Sequence, residues 1–311
     1  MTTNASQSVR WKQIALKFKE YRFILFLILP GLIYFAIFSY IPMYGVQLAF
    51  KEYIYSKGIW GSPFVGLQNF RYAMADQQFW LSWRNTIIIS LCRLVFVFPV
   101  PIILSLLLNE LSSGAYKRVL QTIFTFPHFL SWIVIGGIMV NMFSSSGAVN
   151  NLIAALGGER VQFLAAPEKF RPTVYLTDIW KESGWSCIIY LAAITGISPE
   201  YYEAATVDGA NRFHKILYIT LPGIASTISV LLILSIGNIM NGGFDQIFNL
   251  YNPAVYETGD IIDTYIYRTT FQTGGDFGIS TAVGLFKSVI NLILLTTANM
   301  VSRRVSGSSL Y

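Results

Sequence analysis

Three stretches of this 311-residue chain carry no charged side chain: Phe23–Phe50, Val119–Gly158 and Ile216–Phe244, of 28, 40 and 29 residues. Roughly 20 apolar residues of helix cross a bilayer core, so each stretch is long enough to span it. In hydrocarbon the backbone must satisfy its own N–H and C=O groups, which leaves helices or closed barrels. Continuous apolar runs of this length, without period-two alternation, select helices. Charged residues are 12% of the sequence, about half the roughly 25% of soluble domains. A disordered chain is excluded, and little is left over for a separate soluble domain.

The fold class expected is therefore all-α, a polytopic membrane protein with six transmembrane helices. The spans are read at about Phe23–Tyr40, Asn85–Leu108, Val119–Phe143, Thr177–Ile197, Pro222–Phe244 and Phe277–Val301. The first should stop at Ile41-Pro42, and it should remain as an uncleaved span because no small-residue cleavage site follows it. The fourth is weakest, since its uncharged run, Ser183–Pro199, has only 17 residues. Residues 1–22 and 302–311 are read as tails and 23–301 as one transmembrane domain.

The net charge of +6 fits orientation in a membrane better than nucleic-acid binding. With the N-terminus in the cytoplasm, inner segments hold 11 basic residues and outer segments 8, the latter against 9 acids. The tail contributes five of the inner ones, Arg10, Lys12, Lys17, Lys19 and Arg22. Both termini are expected inside.

No phosphate loop of the form G-x-x-x-x-G-K-[ST] occurs, nor a G-x-S-x-G or H-E-x-x-H, so neither nucleotide binding nor hydrolase chemistry is expected of this chain. Cys92 and Cys187 stand apart in apolar runs and read as packing residues. Two histidines are too few for the usual His/Cys zinc site. Asp178 and Glu182 share a helical face, with Lys181 as the simplest partner for both.

Charged groups inside spans are costly and usually face a cavity or a partner. Arg93, Asp178, Lys181, Glu182 and Lys287 are thus candidates to line a polar path. The amides Asn141, Asn238, Asn241 and Asn291 join them. Trp180, Trp185, Tyr190, Phe244 and Phe248 offer apolar ring faces on which a sugar can stack. Asp245 and Gln246 sit at the outer end of the fifth span. The outer segment Tyr40–Trp83 is rich in aromatics and reads as an interfacial cap, and Ile261–Phe271 as an outer helix.

The segment between spans four and five, residues 198–221, reads as a short helix, a break and a second helix. Ser198 can cap, Pro199 suits the first helical position and Glu200 complements the dipole. Asp208-Gly209 should end the helix. Small Ala204 and Ala205 permit close approach by another surface. The pattern E-A-A-x3-G-x9-I-x-L-P is present in full as Glu203, Ala204, Ala205, Gly209, Ile219, Leu221 and Pro222. On these residues the chain resembles the inner-membrane permeases of binding-protein-dependent ABC importers, with a maltose-permease-like fold.

Tyr40-Ile-Pro-Met-Tyr-Gly45, Gly66-Leu-Gln-Asn-Phe70, Arg84-Asn-Thr86 and Gly242-Gly-Phe-Asp-Gln-Ile-Phe248 resemble the carbohydrate branch, and within it the permeases for polysaccharide-derived oligosaccharides. The resemblance implies that Glu203–Ala205 contact a separate ATPase, that Gly209 forms the bend, and that Ile219, Leu221 and Pro222 carry motion into span five. It also implies a second permease, expected to be a different chain, two ATPase subunits holding ATP and Mg, and a lipoprotein or extracellular sugar-binding protein. The cytoplasmic membrane of a Gram-positive bacterium is the implied location. A stand-alone sugar transporter and an enzyme acting on lipid-linked sugars are the alternatives; neither accounts for the loop.

Overall fold

The computed structural model describes residues 21–111, 114–272 and 274–305. Arg10, Lys12, Lys17 and Lys19, and most of the C-terminal tail, lie outside the described residues. Those described are mostly helical, and the only pairing of extended segments among them is a single antiparallel bridge between Lys51 and Phe64.

Helix α1, Arg22–Phe50, is longer than the first expected span. Pro42 does not stop it. The coil widens over Ala36–Tyr40, where the Ile41 N–H reaches back to the Ala36 carbonyl, and then tightens over Ile41–Phe50. Nothing in Arg22–Tyr40 is buried. The tight end packs on the last helix of the chain. After α2 (Gln68–Ala75) comes α3 (Gln77–Glu110), capped by Asp76, whose carboxylate accepts from the Gln78 N–H at 2.9 Å. It widens at Arg93–Val97 just before Pro99.

The third expected span, Val119–Phe143, is broken. Helix α4 (Ala115–Thr125) runs into a tight turn at Phe126–Phe129. Leu130 is extended, and Ser131 caps a new helix, α5 (Trp132–Phe143). Pro127 lacks the N–H that would continue α4, and the Ser131 hydroxyl accepts from Val134 instead. A short α6 (Ala148–Ala155) follows.

Helix α7, Pro167–Thr195, has 29 residues, about 43 Å of helix. Its charges made it the least secure span by sequence, yet it is the axis of the fold. One apolar cluster joins its first half (Phe170, Val174) to Ile89, Ile135 and Ile247. Two others join its second half (Cys187, Tyr190, Leu191, Ile194) to Leu108 and Ile224. At Gly184 a side chain would collide with the Phe124 carbonyl, so glycine lets α4 cross in close contact.

Beyond it lie α8 (Pro199–Val207), α9 (Arg212–Gly223), α10 (Ala225–Gly237), α11 (Phe244–Leu250), α12 (Ile262–Phe271) and α13 (Phe277–Val305), besides shorter turns of helix. Helices α9 and α10 are bent by 60° at their junction. By length and composition four helical stretches can cross a membrane: α1, α3, Trp132–Ala155 and α13. The bent pair α9–α10 makes a fifth. The expected count of six depends on α7, whose charged residues keep it out of that set.

Candidate functional site

The polar centre is built around Arg93, the first residue of the widened turn in α3. Its Nε lies 3.0 Å from Asp178 Oδ2 on α7, an ion pair that is not aligned as a hydrogen bond. Nη1 donates to the Gly242 carbonyl at 2.7 Å and Nη2 to Gln246 Oε1. Gln246 in turn donates to the Val174 carbonyl at 2.7 Å and to Thr177 Oγ1 at 2.9 Å. One guanidinium thus ties α3, α7 and the α10–α11 turn together. The turn depends on two left-handed glycines, Gly242 (φ 48°) and Gly243 (φ 78°). A methyl group on Gly243 would occupy the guanidinium's place.

Arg93 stands between two cavities. The first, about 390 Å³, is lined by Ser90, Val97 and Pro101 of α3, Glu182, Ser186 and Tyr190 of α7, Leu231 and Ser235 of α10, and Asn238 just beyond it. The second, about 350 Å³, is lined by Trp132, Asp178, Phe244, Asp245, Gln246 and Asp263. Arg93, Asn241 and Gly243 line both. Along α3 and α7 the first cavity lies toward the α8 end of the molecule and the second toward the opposite end, so they are stacked with Arg93 at the boundary.

The structure therefore brings together Arg93, Asp178, Glu182, Tyr190, Asn238, Asn241, Phe244, Asp245 and Gln246. Asn241 donates to Asn238 Oδ1 at 3.0 Å, and Tyr190 is buried at the wall. Phe248 lies behind Phe244, ring centroids 5.2 Å apart. Other candidates stand apart from both cavities. Asn141 bonds back to the Gly137 carbonyl of its own helix, and Asn291 accepts from the Met240 N–H. Trp180 is exposed. Lys287 pairs with Asp263 at 2.6 Å from outside the second cavity.

Asp178 and Glu182 do not share a partner as their spacing suggested. Asp178 goes to Arg93, while Lys181 Nζ, almost fully buried, pairs with Glu182 at 2.8 Å and donates to the His128 carbonyl. The other Glu182 oxygen lies 2.7 Å from His128 Nδ1, and the His128 ring stacks on Trp185 at 4.5 Å. His128 and Asp263 were not singled out from the sequence. A histidine inside an uncharged run was a usable signal for the first. Nothing local marked Asp263 as the counter-ion of a lysine 24 residues away.

At the far end of α7, the 198–221 loop forms two helices joined at Gly209. The Ser198 side chain makes no cap bond, contrary to expectation; proline at the first position provides the start. At the C-terminus the Ala210 N–H closes on the Ala205 carbonyl at 2.8 Å with Gly209 left-handed at φ 77°, a glycine-terminated helix end. Asn211 caps α9 through the His214 N–H. Tyr202 Oη meets Thr220 Oγ1 at 2.9 Å and Lys215 Nζ donates to Thr206 Oγ1 at 2.7 Å, so α8 and α9 are held as one unit. Glu203 and Ala204 are exposed, and Val207 is 89% exposed. Ile219 lines the concave side of the unit. Leu221 and Pro222 lead to the 60° bend.

Residues 97–307 match the family described as binding-protein-dependent transport system inner membrane component. Protein LplB of Bacillus subtilis (strain 168) is 42% identical over 308 residues, covering 99% of this chain and 96% of that protein. The polygalacturonan/rhamnogalacturonan transport system permease protein YteP of the same organism is 42% identical over 301 residues, 96% and 94% of the two chains. A crystal structure of a bacterial alginate ABC transporter, in complex with an alginate pentasaccharide-bound periplasmic protein, contains a chain 42% identical to this one. The two superpose with a TM-score of 0.87 over 94% of this chain and 98% of that one.

Proposed function

The chain belongs to the family of inner membrane components of binding-protein-dependent transport systems, and from that premise we propose how its two polar regions divide the work of an importer. The protein is the permease subunit of an ABC importer for oligosaccharides. It is not itself an enzyme, and ATP is hydrolysed by a separate subunit. In our reading the substrate is a fragment of a plant- or algal-type polysaccharide, since relatives carry polygalacturonan, rhamnogalacturonan and alginate in their names.

The observation that carries the division of work is the α8–α9 unit. It presents exposed Ala204 and Val207 beside the Glu203 carboxylate, is braced internally by two side-chain bonds, and continues directly into a bent span. Such a unit transmits a push as a rigid body. Glu203, Ala204 and Ala205 face the ATPase, Gly209 sets the bend, and Ile219, Leu221 and Pro222 pass the motion into α10. At the other end of α10, the turn at Gly242-Gly243 accepts the Arg93 hydrogen bond, so movement of α10 acts directly on the boundary between the two cavities.

We further place both termini and α8 in the cytoplasm, with six spans including α7. A second permease chain, two ATPases holding ATP and Mg, and an external binding protein complete the assembly. The test is recovery of the tagged chain from its native membranes in mild detergent, with co-purifying proteins identified by mass spectrometry. A second permease and a phosphate-loop ATPase are expected. Reproducible recovery of the folded chain alone overturns the proposed assembly.

A further inference from the structure

Two short helices at the end of the molecule opposite α8 each carry an aromatic pair at i, i+4 spacing: Phe244 and Phe248 on α11, Tyr267 and Phe271 on α12. The rings form an unbroken series. Phe244 and Phe248 stack at 5.2 Å, Phe248 meets Tyr267 edge-on at 4.7 Å with Phe244 6.0 Å from the same ring, and Tyr267 meets Phe271 at 5.3 Å. None of the four takes part in the buried apolar clusters, which use Ile247 and Leu250 of α11 and Ile262 and Tyr265 of α12. The core therefore does not require these rings.

The two ends of the series differ in a way that gives it a direction. Phe271 is 69% exposed at the outer end. Phe244 lines the second cavity, beside Arg93, Asp178 and Asp245. An aromatic belt in contact with lipid would end on apolar neighbours; this one ends on a charged cavity. Asp245 has no ion-pair partner among the described residues and is exposed at the inner end, where its carboxylate can accept from sugar hydroxyls.

We propose that Phe271, Tyr267, Phe248 and Phe244 form a stacking track that conducts the pyranose rings of an oligosaccharide from the mouth of the permease into the second cavity. The inference rests on the reading of this chain as an oligosaccharide permease. Aromatic rings hold the apolar C–H face of a sugar without fixing its rotation about the ring normal. A longer chain reaches from Phe271 to Phe244 at once, while a disaccharide covers only part of that distance.

The track makes a prediction about chain length that simple packing does not. The purified importer, with its partner subunits and binding protein, is placed in liposomes. It is supplied with di- to pentasaccharides of galacturonate, alginate or xylose, whichever series the wild type takes up. With saturating loaded binding protein, Tyr267→Leu and Phe271→Leu should slow tetra- and pentasaccharide uptake about five- to tenfold, from the loss of one ring contact, while disaccharide uptake stays within about twofold. Tyr267→Phe keeps the ring and should restore the long-chain rate.

An equal loss at every length, or no loss in either leucine variant, overturns the track. So does loss of the partner permease from the complex, which would assign the rings to a subunit interface. If the wild-type importer takes up no sugar of any series, the oligosaccharide reading itself fails, a result separate from the track.

Discussion

Arg93 concentrates the polar logic of the site in one side chain. It sits with 18% and Asp178 with 16% of the side chain exposed, and their closest approach is 3.0 Å. Removing Arg93 leaves the Asp178 carboxylate buried without its ion-pair partner, at about 3–5 kcal/mol, while removing both charges is much milder. Arg93→Gln should therefore destabilise the detergent-solubilised permease clearly more than Arg93→Gln combined with Asp178→Asn. Thermal unfolding of the wild type, both single variants and the double variant makes a complete cycle. Equal melting of the single and double variants would show that Asp178 is already satisfied by water. The sequence marked Arg93 and Asp178 as candidates because charged groups are expensive in a span, and Gln246 by its place at the outer end of the fifth span. Their mutual contact was not legible, since it joins residues as far as 153 positions apart.

Among the elements, the widened turns follow a rule that the sequence contains but does not announce. The three among the described residues are Ala36–Tyr40, Arg93–Val97 and Ile216–Thr220, and each ends two residues before a proline: Pro42, Pro99 and Pro222. Proline has no N–H to donate, and its ring crowds the carbonyl four residues back. The residue before it instead bonds five residues back, as Phe98 does to Arg93 at 2.9 Å, and the helix passes the proline without stopping. Prolines suggested span ends at Ile41-Pro42; the structure shows a change of pitch. In the third span the opposite happened, because Ser131, four residues after Pro127, caps a new helix.

The same scale governs the α8–α9 unit. Gly209 has open space around it, so a side chain there meets a conformational penalty at φ 77° and no collision. Gly209→Val should cost about 1–2 kcal/mol locally, leave the level of the protein normal and reduce sugar uptake per ATP hydrolysed. Gly209→Asn, which tolerates the left-handed region, should retain most uptake. Uptake at the wild-type ratio in the valine variant would separate the bend from coupling.

At the scale of the whole molecule, hydropathy and packing place α1 and α7 in opposite positions. Helix α1 has the hydropathy of a span and buries nothing over Arg22–Tyr40, while α7 carries three charges near its middle and sits at the centre of the packing. The reason is in the charges. Asp178, Lys181 and Glu182 would each be prohibitive on a lone helix, but Arg93 and His128 on neighbouring elements answer them. A span whose polar groups are paired inside the bundle need not be apolar in sequence. Residue-by-residue reading could see the charges and not the partners, which is why this span was the weakest of the six.

If α7 crosses the bilayer, its two ends lie on opposite faces. Single cysteines at Glu159 and Tyr201, both exposed and beyond either end of the helix, report this in a background with Cys92 and Cys187 replaced. A membrane-impermeant maleimide added to intact cells should label the position 159 variant and leave the position 201 variant unlabelled until the membrane is opened. Labelling of both from outside would place α7 on one side. The count would then fall to the five spans that hydropathy supports, and the α8–α9 unit would lose access to an ATPase in the cytoplasm.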